Sequence, residues 1–163
     1  MEDNLDLGGY LGMMLDVLER KKRVLDSIYE ATKDQENALR ADEIDEKAFN
    51  AAIDKKTELI DKLNEMDEGF QKLYDRISRK ISEKGEEHAD VIRRLQTLIQ
   101  ELTDLSVTVS SLEKKNKETL DKRVDEIRKG KKNFKVSRQT ADKYYKNMTG
   151  LNAVTPVFLD EKH

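Results

Sequence analysis

The chain has 163 residues, a length that suits one domain. Charged residues make up 40% of it and aromatic residues 6%, and the formal net charge is −3. Abundant Glu, Lys, Asp and Leu at helical spacing is typical of long helical bundles and coiled coils. The sequence contains no cysteine, which excludes a disulfide framework and a thiolate metal site.

The N-terminal residues suggest no export signal. The stretch from Met1 to Asp6 is acidic and has neither the basic nor the apolar region of a secretory signal. No apolar run approaches the ~20 residues that span a bilayer. We therefore expect a soluble protein of a reducing compartment, the cytoplasm.

The charge is unevenly distributed along the chain. Residues 131–163 carry seven Lys and Arg against three Asp and Glu, a net of +4, which leaves −7 on residues 1–130. A basic tail on an acidic body can bind nucleic acid or anionic lipid. We favour a solvated tail, because its lysines are dispersed and no nucleic-acid-binding motif accompanies them.

The first predicted helix covers about residues 5–40 and carries a heptad-like seam with alternating steps of three and four. Three of the nine seam positions are polar, and further apolar residues widen the stripe beside it. A bundle helix therefore fits better than a two-stranded coil. The seam comprises Leu11, Met14, Leu18, Lys21, Leu25, Ile28, Thr32, Gln35 and Leu39.

A short polar stretch, residues 41–47, ends that helix. Asp42 or Asp45 can accept hydrogen bonds from the free N–H groups at the start of the next helix. Such a short connection usually joins antiparallel neighbours. The second helix is predicted over about 46–83, with a seam of Phe49, Ile53, Lys56, Ile60, Leu63, Asp67, Phe70, Tyr74, Ile77 and Ile81.

The apolar stripe pauses between Ser82 and Glu87, around Gly85. Two interpretations stay open: a break between two helices, or one helix that tolerates the glycine. A third helix is predicted over about 87–129, with Gly130 as its C-cap. Its stripe comprises Ile92, Leu95, Ile99, Leu102, Leu105, Val109, Leu112, Asn116, Leu120, Val124 and Ile127.

This pattern predicts an all-α fold: an elongated antiparallel bundle of three long helices with a flexible or short-helical C-terminal tail. We expect a bundle domain over residues 1–130 and a basic, aromatic-containing tail over residues 131–163. From Leu95 to Leu112 the third helix is apolar on more than one side. That helix could therefore occupy the bundle centre or offer a second face to a partner.

Residues with catalytic or metal-binding chemistry are sparse. His88 and His163 are the only histidines, and neither has a second His or Cys nearby. Asp67, on the seam of the second helix, is the nearest candidate for a desolvated catalytic carboxylate, but we favour a structural pair with a lysine. We predict no enzyme activity, no cofactor and no metal site.

Asn116 interrupts the apolar stripe of the third helix. A buried Asn can fix the register or the pairing state of a bundle at some cost in stability. The residue can equally mark the point where the stripe has reached solvent. Both interpretations stay open.

Two segments resemble the FlgN type of flagellar export chaperones, and the likeness covers about residues 10–127. After a leucine-rich first helix comes an acidic dip and a helix with a KxxLI-like core, in the segment DEKAFNAAIDKKTELI that begins at Asp45. The segment LEKKNKETL, which begins at Leu112, has the leucines and an asparagine of the family. Members often carry two asparagines here, and this chain has only Asn116.

The resemblance implies a type III export chaperone that binds hook-associated (hook–filament junction) proteins and brings them to the flagellar export gate. It implies no small-molecule substrate. It also implies a tail tyrosine that engages the gate, for which Tyr144 and Tyr145 are the candidates. By position, the surface for the exported client protein comprises Leu105, Val109, Leu112, Asn116, Leu120 and Val124.

Helix recognition gives this expectation a physical basis, because a groove can accept an apolar helix through anchors three, four and seven positions apart. The alternative is a structural coiled-coil or adaptor protein that associates with itself through the helical seam. A weak homodimer is compatible with the chaperone. Binding of nucleic acid or a membrane surface through the basic tail ranks third.

Overall fold

A computed structural model describes residues 6–129 of the chain. No strand occurs among these residues, which confirms the all-α class. The elements are α1 (Leu7–Arg40), α2 (Glu46–Lys84), a 3-10 turn (Gly85–His88) and α3 (Ala89–Arg128).

The predicted tail, residues 131–163, lies outside the described residues, together with Tyr144 and Tyr145. The boundary expected near residue 130 therefore stays a prediction. Within the part of the chain that is described, no helix combines the length and the apolarity needed to cross a membrane.

The joint between α2 and α3 contains no non-helical residue. The 3-10 turn Gly85–His88 leads directly from one to the other, so residues 46–128 form one unbroken helical run. The pause predicted around Gly85 therefore corresponds to a change of helix type and not to a loop. A Cβ atom on Gly85 would lie 3.3 Å from Ile92 Cδ1, so a larger residue there would require a small shift of the Ile92 side chain.

The seam of α1 is buried along its whole length, because α1 contacts both α2 and α3. All nine predicted seam positions are buried, including the three polar ones. Near the middle of α1, Lys21 pairs with Asp67 of α2, and nearer its end Gln35 accepts a hydrogen bond from Lys56. Residues later in α1 therefore meet residues earlier in α2.

The contacts of α1 with α3 run in the opposite order. Lys22 Nζ lies 3.1 Å from Glu101 Oε1, and further along α1 the carbonyl of Thr32 accepts a hydrogen bond from Asn116 Nδ2 at 3.1 Å. Residues later in α1 therefore meet residues later in α3. This arrangement leaves α1 with neighbours on two sides.

Buried apolar side chains form two clusters. The proximal cluster has fifteen buried members: Leu7, Tyr10, Leu11, Met14, Leu18, Leu25, Ile28, Ile60, Leu63, Phe70, Ile77, Leu95, Leu98, Leu102 and Val109. The distal cluster has six: Ala38, Leu39, Ile44, Phe49, Ile53 and Leu120. The distal end of the molecule is therefore held by much less apolar surface than the proximal end.

Asp45 starts α2. Its carboxylate accepts a hydrogen bond from the Ala48 N–H at 3.0 Å, and its own N–H donates to the Ala38 carbonyl at 3.1 Å. Of the two capping residues that the sequence allowed, Asp45 is therefore the N-cap. Ile44 beside it is buried in the distal cluster, so the connection is anchored by a polar and an apolar contact.

We expect Asp45→Ala to lower the free energy of unfolding by about 1 kcal/mol, because the first turn of α2 loses its side-chain acceptor. Urea denaturation followed by circular dichroism measures this loss. Asp42→Ala is the matched control, since it removes an exposed carboxylate from the same connection without removing the cap. Equal losses in both variants would assign the effect to charge and contradict the capping role.

Candidate functional site

A layer of buried polar side chains separates the proximal and distal clusters. All three helices contribute to this polar layer: Thr32 and Gln35 come from α1, Lys56 from α2, and Glu113 and Asn116 from α3. Each of these residues exposes 3% of its surface or less. The core is therefore divided across its length, and the division coincides with part of the client surface predicted from the sequence.

A buried ion pair forms the centre of the polar layer. Lys56 Nζ lies 2.8 Å from Glu113 Oε1 and donates a hydrogen bond to Gln35 Oε1 at 2.8 Å. Burial lowers the pKa of Lys56, and the neighbouring Glu113 carboxylate opposes that shift. Because removing an ion from water costs several kcal/mol, each of the two charges depends on the other.

Among the described residues, the side-chain amide of Gln35 has a hydrogen-bond partner for its oxygen but not for its nitrogen. A lysine ammonium can only donate hydrogen bonds, so the contact with Lys56 fixes the Gln35 oxygen on that side. Gln35 Nε2 is buried and has no hydrogen-bond partner among residues 6–129. A buried donor without a partner costs about 1–3 kcal/mol. The polar layer therefore stabilises the fold less than a fully hydrogen-bonded layer would.

Asn116 is buried, with 1% of its surface exposed. Its side-chain N–H donates to the Thr32 carbonyl of α1 at 3.1 Å, and the Thr32 hydroxyl donates to the Ile28 carbonyl at 2.7 Å. The burial of Asn116 is confirmed and its placement at the solvent edge is wrong, while its role in fixing the pairing of the helices stays a prediction. Asn116 ties α3 to one position along α1.

Arg123 of α3 caps the end of α1. Its Nη1 donates to the carbonyls of Leu39 at 2.7 Å and Ala41 at 3.0 Å. Its Nη2 donates to the carbonyl of Asp42 at 2.8 Å. Carbonyls at the end of a helix lack partners within the helix, and α1 ends at Arg40. The guanidinium therefore satisfies acceptors that would otherwise need water.

Asp67 forms a second ion pair, with Lys21, inside the proximal half. The Lys21 side chain is 3% exposed and that of Asp67 is 31% exposed. Burial raises the pKa of Asp67, and the positive charge of Lys21 opposes that shift. The interpretation of Asp67 as a structural partner of a lysine is thereby confirmed.

The remaining candidates for chemistry lie apart from one another. His88 is half-buried in the 3-10 turn, where a Cβ atom on Gly8 would lie 3.2 Å from its Cε1. Within residues 6–129, no group of three or more His, Cys, Asp and Glu side chains is placed to hold a metal ion. The polar layer and the stripe of α3 are the features that remain for a functional site.

The six predicted client residues differ in burial. Val109, Asn116 and Leu120 are fully buried inside the chain, and Leu105, Leu112 and Val124 are half-buried. Val109 belongs to the proximal cluster, Leu120 to the distal cluster and Asn116 to the polar layer. The half-buried members of this stripe are therefore accessible from the surface, whereas its buried members are covered by the packing of α3 within the chain.

Sequence reasoning missed Glu113 and Arg123. Glu113 is buried, whereas its neighbour Leu112 is only half-buried. The apolar pattern of the sequence predicted Leu112, and not Glu113, as a member of the stripe. A lysine on the seam of α2, Lys56, was the available signal, because a buried cation needs a carboxylate. Arg123 had no comparable signal, since its contacts with α1 and the connection are made with backbone carbonyls and its charged neighbour, Glu126, lies on the same helix.

These features define a class: an all-helical protein with a divided core and a partly accessible apolar stripe, suited to holding another helix. Residues 13–149 match the family described as FlgN protein, which covers most of the 163-residue chain. The chain belongs to the FlgN family of flagellar export chaperones. Neither curated proteins nor solved structures gave a significant match.

We expect Lys56→Met to lower the free energy of unfolding by about 3–5 kcal/mol, because the buried Glu113 carboxylate loses the ammonium group that lies 2.8 Å from it. The double variant Lys56→Met/Glu113→Leu removes both charges, so its loss should be much smaller or become a gain. Urea denaturation of both variants measures the difference. A double variant as unstable as the single one would contradict this account of the layer.

The ion pair of Asp67 gives a pH dependence with a defined sign. Folding raises the pKa of Asp67 above its ordinary value of 3.8, so the folded chain binds this proton more tightly than the unfolded chain. The contribution of Asp67 to stability therefore falls as pH rises from 3.8 through the raised pKa. In Asp67→Asn, which has no titrating carboxyl group at this position, this loss of stability with rising pH is absent.

We expect the stability of Asp67→Asn, relative to the natural chain, to increase with pH across that window. Urea denaturation at several values between about pH 3.5 and pH 7 measures the trend. Asp61→Asn, an exposed position of the same helix, reports the effect of the charge change alone. A relative stability of Asp67→Asn that is flat or decreasing would contradict the raised pKa.

Proposed function

We propose that this chain is a cytoplasmic flagellar type III export chaperone that binds hook-associated proteins and delivers them to the export gate. Membership of the FlgN family supports the role in flagellar export. The observation that carries the proposal is the stripe of α3, whose apolar residues are only partly covered and are interrupted by the polar layer.

We propose that the three helices form an elongated antiparallel bundle over residues 1–130. The order of the contacts supports this arrangement, because α1 meets α2 in reverse order and α3 in the same order. Residues 131–163 then form a basic tail, in which Tyr144 or Tyr145 contacts the export gate. The tail carries a net +4, and the matched family region reaches into it.

The proposed client surface is the stripe of α3: Leu105, Val109, Leu112, Asn116, Leu120 and Val124. A client helix first contacts the half-buried members, Leu105, Leu112 and Val124. The buried members join the contact as α3 separates from α1. Their spacing of three and four residues suits side-by-side packing of two amphipathic helices.

The apolar side chains supply the favourable energy of such a contact. Each large aliphatic side chain buried against the client contributes roughly 1.5–3 kcal/mol. Four or five of them contribute roughly 6–15 kcal/mol, which is of the same size as the cost of association, about 4–15 kcal/mol, so the affinity depends on how many anchors the client engages. Transfer of the client to the export gate then releases it from the chaperone, and the chaperone itself needs no nucleotide for this step.

Leu112→Asp tests the client surface. Leu112 is half-buried and belongs to neither cluster, so the substitution disturbs little of the core. We expect binding of a hook-associated protein to weaken at least about tenfold, since one apolar anchor is replaced by a charge. Isothermal titration calorimetry measures the affinity, and circular dichroism checks that helicity is retained.

Ser111→Asp is the matched control, because it adds the same charge at the neighbouring exposed position. It should bind the client as the natural chain does. Unchanged binding by Leu112→Asp, with the helices intact, would remove the proposed surface.

Replacing Tyr144 and Tyr145 by Ala tests the gate contact. We expect export of the hook-associated protein to fall severalfold in cells, while its affinity for the purified chaperone stays unchanged. Phe158→Ala is the control, since it removes another aromatic side chain from the same tail. A loss of client affinity instead of export would reassign the tyrosines to the client surface.

Sedimentation distinguishes the chaperone from the alternative, a coiled-coil or adaptor protein that associates with itself through the seam. We expect a monomer or a weak dimer whose population depends on concentration. A tight dimer that persists on dilution would favour the alternative.

A further inference from the structure

The end of α3 beyond the polar layer is weakly held by apolar contacts. We call residues 117–128 the arm. It contributes one buried side chain, Leu120, to the distal cluster, and Val124 packs against that cluster as a partly buried residue. The arm therefore rests on two aliphatic contacts, four positions apart, together with the polar contacts of Arg123.

The surface beneath the arm is strongly apolar. Leu39 of α1, Ile44 of the connection, and Phe49 and Ile53 of α2 form what we call the cradle. Their exposed fractions are 0%, 5%, 1% and 1%. Four large apolar side chains are thus part of a cluster to which the arm gives a single fully buried partner.

The rim of the cradle selects for positive charge. The carbonyls at the end of α1 and in the following connection accept three hydrogen bonds from Arg123. The carboxyl end of a helix carries a partial negative charge, and Asp42 and Glu43 beside it are exposed acidic residues. A helix that occupies the cradle therefore needs a cation at the position that Arg123 now holds.

We propose that the cradle is a second client-binding surface, which accepts an amphipathic helix of the client in place of the arm. The pattern Leu120, Arg123, Val124 defines the occupant: aliphatic residues at positions i and i+4 with Arg or Lys at i+3. This inference rests on the proposed function and adds residues of α1 and α2 to the stripe of α3.

The polar layer allows the exchange. Because it interrupts the apolar contacts between Val109 and Leu120 along α3, the arm can leave the cradle without opening the proximal cluster. Once the arm has left, Leu120 and Val124 are free to contact the same client from the other side. The client helix then lies between the cradle and the arm.

A peptide with the sequence of residues 113–128 of this chain is the probe. It is titrated into the full-length chain labelled with ¹⁵N, in the natural form and as Arg123→Ala. We expect chemical-shift changes concentrated between Leu39 and Ile53. We also expect about tenfold tighter binding to Arg123→Ala, because loss of the cap raises the fraction of chains with an open cradle.

Lys122→Ala is the matched control, since it removes a positive charge from the neighbouring exposed position of the arm. It should bind the peptide as the natural chain does. A peptide carrying Leu120→Asp should not bind. Equal affinities of Arg123→Ala and Lys122→Ala, or shift changes confined to the outer side of α3 around Val107, would overturn the cradle.

A second variant tests the polar layer. Lys56→Met/Glu113→Leu joins the two clusters through apolar side chains, so the arm should open less often and the peptide should bind severalfold more weakly. Dispersed amide resonances verify that each variant is folded. Peptide affinity that does not fall in this variant would contradict the proposed exchange.

Repeating the titrations with a hook-associated protein separates the two proposals. If that protein binds the natural chain and Arg123→Ala equally, the proposal that the cradle binds a client is wrong. The proposed function as an export chaperone is then unaffected. If the hook-associated protein binds neither chain, while the peptide behaves as expected, the proposed class of client is wrong. The cradle then remains a binding surface for an amphipathic helix.

Discussion

The buried pair of Lys56 and Glu113 is the constraint on which the rest of the structure depends. It joins α2 to α3, and the contact of Lys56 with Gln35 brings α1 into the same layer. A shift of any helix along its axis would leave a charge buried without its partner, at a cost of several kcal/mol. The layer therefore fixes the mutual register of three long helices whose apolar seams, being repetitive, would tolerate slippage by a heptad.

The same layer limits how much of the chain acts as one unit. Apolar contacts accumulate in the proximal cluster, whereas the distal cluster is small and receives little from α3. In the proposed chaperone role, this division would allow α3 to bind a helical client and later release it while the proximal cluster stays intact.

The sequence was sufficient for the helices and for the seam of α1, where even the polar positions Lys21 and Gln35 are buried as the heptad spacing required. It was insufficient at the centre of the site. Counting apolar residues placed Leu112 in the stripe, whereas the helix buries Glu113 beside it to neutralise a lysine. The role of Arg123 was out of reach, because its three hydrogen bonds to α1 and the connection go to backbone carbonyls, which leave no pattern in the sequence.

The order of the elements along the chain has a consequence for synthesis. The cradle is completed by Ile53, whereas its cover comes from the last turns of α3, near Arg128. At about 5–20 residues per second, the ribosome needs several seconds to produce the intervening segment. A newly made chain therefore contains all four residues of the cradle several seconds before the arm that covers them has been translated.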